Sequence, residues 1–152
     1  SPLKEGHMST RSPEMQELQH EALQRQSHKR LDEVADMRAA VRAKSRGLSQ
    51  RDIAEVLVTS QARVHRLLRA ADRRIDVGER LPEELILEAF VNDIPRSALV
   101  AELKRYSYTF GENAPYPHEG RISGTWDQVV SAFMQDLLTE DEFSEIREAI
   151  GR

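Results

Sequence analysis

Apolar residues recur at helical spacing along most of this chain. Ser12-Pro13-Glu14 supplies an N-cap, a first-turn proline and an early acid, a conventional helix start. Behind it Met15, Leu18, Ala22 and Leu23 form only a thin stripe as far as Ser27, so residues 8–27 read as a lead-in helix or arm, either solvated or serving a dimer or partner contact. From His28 the stripe strengthens through Leu31, Val34, Met37 or Arg38, and Val41, and it stops at Gly47, a suitable C′ glycine. Ser49 then caps a short helix, 50–57, that buries Ile53, Ala54 and Leu57. Thr59-Ser60 makes a turn, and Ser60 caps a third helix from Gln61 to about Arg73, with Val64, Leu67 and Leu68 facing inward.

Asp76-Val77-Gly78 reads as a linker. Beyond it, Pro82 opens a helix to about Val91 that is apolar on most sides, and Pro95 opens another with Leu99, Val100, Leu103 and Tyr106 as its stripe. A loop rich in Gly and Pro runs from Gly111 to Gly124. Thr125 and Gln128 have capping-box spacing ahead of Trp126, Val129, Val130, Phe133 and Leu137, and Thr139 and Glu142 repeat it ahead of Phe143, Ile146 and Ile150. No stretch alternates convincingly with period two, the nearest being Tyr106–Phe110, so the expected fold is all-α.

Composition changes this picture through its distribution. The 152 residues carry a formal charge of −4, which as an average argues against a polyanionic partner. Yet residues 38–74 carry ten Lys/Arg against three Asp/Glu, a charge of +7, whereas residues 75–152 carry seven against sixteen, −9. All eight aromatic residues lie in the acidic half. The expected division is therefore a cloning remnant at 1–7, ending at Gly6-His7-Met8, the arm at 8–27, a basic domain at 28–76 and an acidic helical interaction domain at 77–152. Without cysteine there are no disulfides, thiolate metal sites or cysteine nucleophiles. No apolar run is long enough to span a membrane, and no signal peptide is visible, so a cytoplasmic location is the default.

The segment Leu48-Ser49-Gln50-Arg51-Asp52-Ile53-Ala54-Glu55-Val56-Leu57-Val58-Thr59-Ser60-Gln61-Ala62-Arg63-Val64-His65-Arg66-Leu67-Leu68 resembles the helix-turn-helix of Cro/repressor-type regulators and of the promoter-reading region of sigma factors. Ile53, Leu57, Val64 and Leu67 stand where that family places core residues, and Ala54 where two helices cross closely. The resemblance covers about residues 28–74 and implies an N-terminal helix-turn-helix DNA-binding domain followed by a small helical domain. One position departs. Val58 stands where the family usually has a glycine in left-handed conformation, so either the turn differs or Val58 is strained.

Docking as in that family directs Gln61, Ala62, His65 and Arg66 outward, with Arg63 and Arg69 flanking. Gln61 can pair with an adenine edge, Ala62 with a thymine methyl and Arg66 with guanine O6/N7. Gln50, Arg51, Ser60, Arg63 and Arg69 suit phosphate. Arg42, Lys44 and Arg46 can extend these contacts. In the acidic half, Tyr108, Phe110, Tyr116 and His118 are the candidate partner-binding residues, set against the bland alternative that the loop rings fold back on Trp126 and Phe133. The histidines lack ligand spacing and no catalytic set is recognisable, so no metal, no cofactor and no enzymatic activity are expected.

Three functions fit these features. The first is a sequence-specific transcription regulator, a repressor, that reads double-stranded DNA with helix 61–73, with or without dimerising. The second is an antitoxin that represses its own operon and holds a toxin protein through the acidic half. The third is a phage-type repressor with both domains on DNA, through Arg96, Lys104, Arg105 or Arg121.

Overall fold

A computed structural model of the chain describes residues 12–117 and 119–152. The expectations for residues 1–7 and 8–11, and for His118, lie outside the described residues. In chain order the elements are α1 (Pro13–Ser45), α2 (Gln50–Val56), α3 (Gln61–Asp72), α4 (Pro82–Val91), α5 (Arg96–Arg105), β1 (Glu112–Asn113), β2 (Arg121–Ile122), α6 (Trp126–Met134) and α7 (Glu140–Ile150). The protein is mostly helical, as its apolar periodicity predicts.

The two helices expected at 13–27 and 28–46 are one helix of 33 residues, α1, about 50 Å long. Ser27 does not break it, because its hydroxyl donates to the Leu23 carbonyl one turn back, at 2.7 Å, and is satisfied inside the helix. Compactness nevertheless changes at that point. One unit comprises His28–Glu79, and the other joins the chain before His28 to Arg80–Arg152.

In the first unit, the second half of α1 contributes Val34, Met37 and Ala40 to a core with Ile53 and Ala54 of α2 and Val64, Leu67, Leu68 and Ala71 of α3. Leu48, Leu57 and Val77 pack around it, partly buried. Local sequence fixes the helix starts: the Ser49 hydroxyl accepts from the Asp52 amide at 3.2 Å, and the Ser60 hydroxyl from the Arg63 amide at 3.1 Å. The Arg38 guanidinium donates to the carbonyls of Val77 and Glu79 at 2.8 and 2.9 Å, tying the end of the unit back to α1.

Two turns in this unit end their helices in the same way. At Gly47 (φ 88°) the chain turns left-handed, its amide bonding Lys44 O and the Leu48 amide bonding Ala43 O. At Val58 (φ 56°) the Val58 amide bonds Glu55 O at 3.2 Å and the Thr59 amide bonds Ala54 O at 2.9 Å. Val58 thus occupies the slot where glycine is favoured, with its side chain 90% exposed and nothing packed in return. The left-handed region costs an L-residue about 1–2 kcal/mol, of which glycine's greater freedom when unfolded gives back roughly 0.5–1 kcal/mol. Val58→Gly is therefore expected to stabilise the protein by about 0.5–1 kcal/mol and to raise the Tm by a few degrees in a thermal melt. A fall in Tm would mean that Val58 contributes packing.

In the second unit, the first half of α1 is not a free arm. The His20 ring meets Phe90 of α4 edge-on, with centroids 5.2 Å apart, and Ala22 and Leu23 are half-buried, although Met15 and Leu18 remain exposed. The core is built from Ile86 and Ala89 of α4, Leu99, Val100 and Leu103 of α5, Val129 and Ala132 of α6, and Leu137, Leu138 and Ile146 around α7. The capping box at Thr139 forms with both of its bonds. Its Glu142 carboxylate also takes two bonds from Arg96, each 2.8 Å, while Arg96 Nη2 reaches Leu137 O at 2.9 Å. Burial pushes the Glu142 carboxyl up, but Arg96 and Thr139 together hold it below its ordinary value.

The capping box expected at Thr125 does not form. The Gln128 side chain instead accepts the Glu83 amide at the start of α4, at 3.0 Å, and Thr125 and Thr109 bond each other's amides through their hydroxyls, both at 2.9 Å. Asp127 takes over the local role by accepting from the Gly124 amide at 2.9 Å. Tyr106–Phe110 forms no strand. The described strands are the two residues each of β1 and β2, an antiparallel ribbon with Glu112 opposite Ile122 and Asn113 opposite Arg121.

Candidate nucleic-acid interface

Helix α3 turns about 100° per residue, and its buried residues Val64, Leu67, Leu68 and Ala71 define one face. Directly opposite, Ala62, Arg66, Arg69 and Arg73 succeed one another along three turns, all exposed. Among the described residues, Arg66, Arg69 and Arg73 enter no ion pair. Gln61 and His65 lie on one flank of this stripe and are exposed as well. Arg73 was not among the expected contacts because it lies at the C-terminal end of the helix, away from its groove-entering start, although its spacing from Arg66 and Arg69 was readable.

Gln50 and Arg51 open α2 and are exposed. The Ser60 hydroxyl accepts the α3 cap bond and keeps its proton to donate. Arg42, Lys44 and Arg46 end α1 or follow it, exposed, where cations also suit the negative end of the helix dipole.

Arg63 is where the structure departs from the expectation of a free phosphate contact. Its guanidinium is paired with Asp36 of α1 at 2.9 Å, with side chains 31% and 39% exposed, because its position on α3 lies on the flank nearest α1.

The second unit treats its cations differently. Arg80 pairs with Glu88, Arg96 with Glu142, Lys104 with Glu145 and Arg121 with Asp127. Arg147 and Arg152 lie over the rings of Phe143 and Phe110, the latter at 3.8 Å. Positive charge here is largely spent on the unit's own carboxylates and rings.

The aromatic loop divides in two. Tyr106 meets Tyr108, Tyr108 stands edge-on to Trp126 at 5.1 Å, Trp126 stacks on Phe143, and Phe143 stacks on Phe133 at 4.4 Å. Gly124 allows this return, since a Cβ there would strike Thr109 O and the Phe110 backbone. Tyr108, expected to bind a partner, is half-buried: its hydroxyl donates to Leu103 O at 2.6 Å, and burial pushes its phenol well above the ordinary value. Phe110 is 38% exposed beneath Arg152, whereas Tyr116 is 97% exposed.

Among the described residues no group of three or more His, Cys, Asp or Glu is placed to hold a metal ion, and no helix is long and apolar enough to cross a membrane. Comparisons with protein-family models, with curated proteins and with solved structures find no match to this chain.

Proposed function

We propose that residues 28–79 bind double-stranded DNA, with α3 in the major groove, and that the protein is a sequence-specific regulator of transcription that represses by occupying its site. The observation that carries this reading is the stripe Ala62–Arg66–Arg69–Arg73: three exposed guanidinium groups without ion pairs among the described residues, on a helix whose other face is locked in the core. Unpaired arginines on one face repel each other, and a chain gains from keeping them so when a polyanion is the partner. Ala62 beside them leaves room at the helix start for a close approach to base edges. The α2–α3 arrangement, with Ala54 buried in their shared core, fits the helix-turn-helix geometry that the sequence resembles.

The test is anisotropy titration of the full chain on labelled duplexes between 50 and 200 mM salt. Arg51, Arg69 and Arg73 on phosphates by themselves give a logarithmic salt slope of about −2.7, so the slope is expected to be at least that steep, roughly a fortyfold or greater loss of affinity per protomer across that range. Absence of binding at 50 mM, or binding indifferent to salt, would end the reading. Selection from a random duplex pool then gives the operator.

The antitoxin reading keeps one supporting observation, the exposed Tyr116 ring at the loop tip of a unit whose other rings mostly stack inward. A neighbouring reading frame whose toxic product is neutralised by this chain, and no longer by its Tyr116→Ala variant, would favour it. The third reading, with both units on DNA, keeps only Arg105, which is exposed, because Arg96, Lys104 and Arg121 are already paired with carboxylates.

A further inference from the structure

Arg63 combines features that the rest of the basic face does not share. Its amide is bonded to the Ser60 hydroxyl, which anchors its backbone in the first turn of α3, the end that a groove-docked helix brings nearest the DNA. Its side chain runs instead to Asp36, a residue of α1 27 positions earlier in the sequence. Both partners are half-buried, so water still reaches the pair, competes for it and screens it. A phosphate offers the same charge as Asp36 and accepts the same guanidinium bonds.

We propose that Arg63 is a stored phosphate ligand: Asp36 holds it in the free protein, and the DNA backbone takes it over in the complex. Asp36 is then a positioning residue that lowers affinity for DNA of any sequence, because each encounter must first displace it. Bases read by Gln61 and Arg66 are unaffected by that exchange, so the device suppresses non-specific binding uniformly. This inference rests on the DNA-binding reading above.

Four full-length proteins test it on one random duplex across 50–200 mM salt: the wild type, Asp36→Asn, Arg63→Gln and the double variant. Asp36→Asn is expected to tighten binding three- to fivefold, the scale of an ion pair that water reaches. Arg63→Gln is expected to make the salt slope shallower by about 0.9, one phosphate contact. In the Arg63→Gln background, Asp36→Asn should then change affinity by less than twofold. A fifth protein, Arg63→Lys, which keeps the charge, should keep the slope and so separates a contact from a folding effect. An equal gain from Asp36→Asn in both backgrounds would overturn the exchange, leaving only a general charge effect, and so would an unchanged slope in Arg63→Gln. If no protein of the four retains the duplex at 50 mM salt, the DNA reading itself falls, and this inference with it.

Discussion

Replacing Arg66 and Arg69 together by alanine is expected to weaken binding to the selected operator about a hundredfold without loosening the fold. A guanidinium on a guanine edge contributes roughly 1–3 kcal/mol of discrimination, and a phosphate contact adds about 1.5 kcal/mol more as a hydrogen bond to a charged group. Their loss amounts to about 3 kcal/mol, two decades of affinity. Stability should hold because both side chains are exposed and make no ion pair among the described residues, and because alanine is the stronger helix former. The single variants divide the roles. Arg66→Ala should flatten base preference at one operator position, while Arg69→Ala should lower affinity for all duplexes alike and make the salt slope shallower by about 0.9. A loss of less than threefold in the double variant, with its melt unchanged, would place the interface elsewhere.

Features that depend on a few neighbouring residues were legible in the sequence. Ser49, Ser60 and Thr139 cap helices because each hydroxyl needs only an amide three residues away. The left-handed turn at Val58 was foreseeable from the position rather than the residue type, since a helix stopped there needs that conformation whichever side chain it carries. Features set by distant partners were not legible. Gln128 has the spacing for a local cap, yet its amide oxygen goes to Glu83, 45 residues away. The join of 13–27 to 28–45 turns on whether Ser27 interrupts or stays inside a helix, and one 2.7 Å bond to Leu23 decides it.

The candidate interface shows the same division. The faces of α3 follow from the apolar spacing of Val64, Leu67 and Leu68, so exposure of Ala62, His65, Arg66 and Arg69 was readable. Which arginines are unpaired was not, because an ion pair such as Arg63–Asp36 forms only once α1 and α3 pack. The packing of Tyr108 was not legible for a related reason. A ring in a proline-rich loop looks available until Gly124 brings the loop back against Trp126.

Ile53→Ala is expected to unfold residues 28–79 while leaving the acidic unit folded. Ile53 is wholly buried in a core that draws on three short stretches of helix. Its truncation should cost about 3 kcal/mol, counting both the lost transfer energy and the cavity. A unit of this size has little stability to spare, so that loss takes most of it. The aromatic residues provide separate reporters, because all of them lie beyond residue 75 and Trp126 stacks between Tyr108 and Phe143. In the variant, far-UV circular dichroism should lose the helical signal of α2, α3 and the second half of α1, and DNA binding should vanish. Trp126 fluorescence and the near-UV spectrum should stay as in the wild type, with their unfolding midpoint in urea displaced by less than about 0.5 M, since ~0.5 kcal/mol over an m-value of 1–3 kcal/mol/M gives no more. Parallel loss of the Trp126 signal would instead make the two units one cooperative body, in which a contact made by the acidic half feeds directly into the stability of the DNA-reading helix.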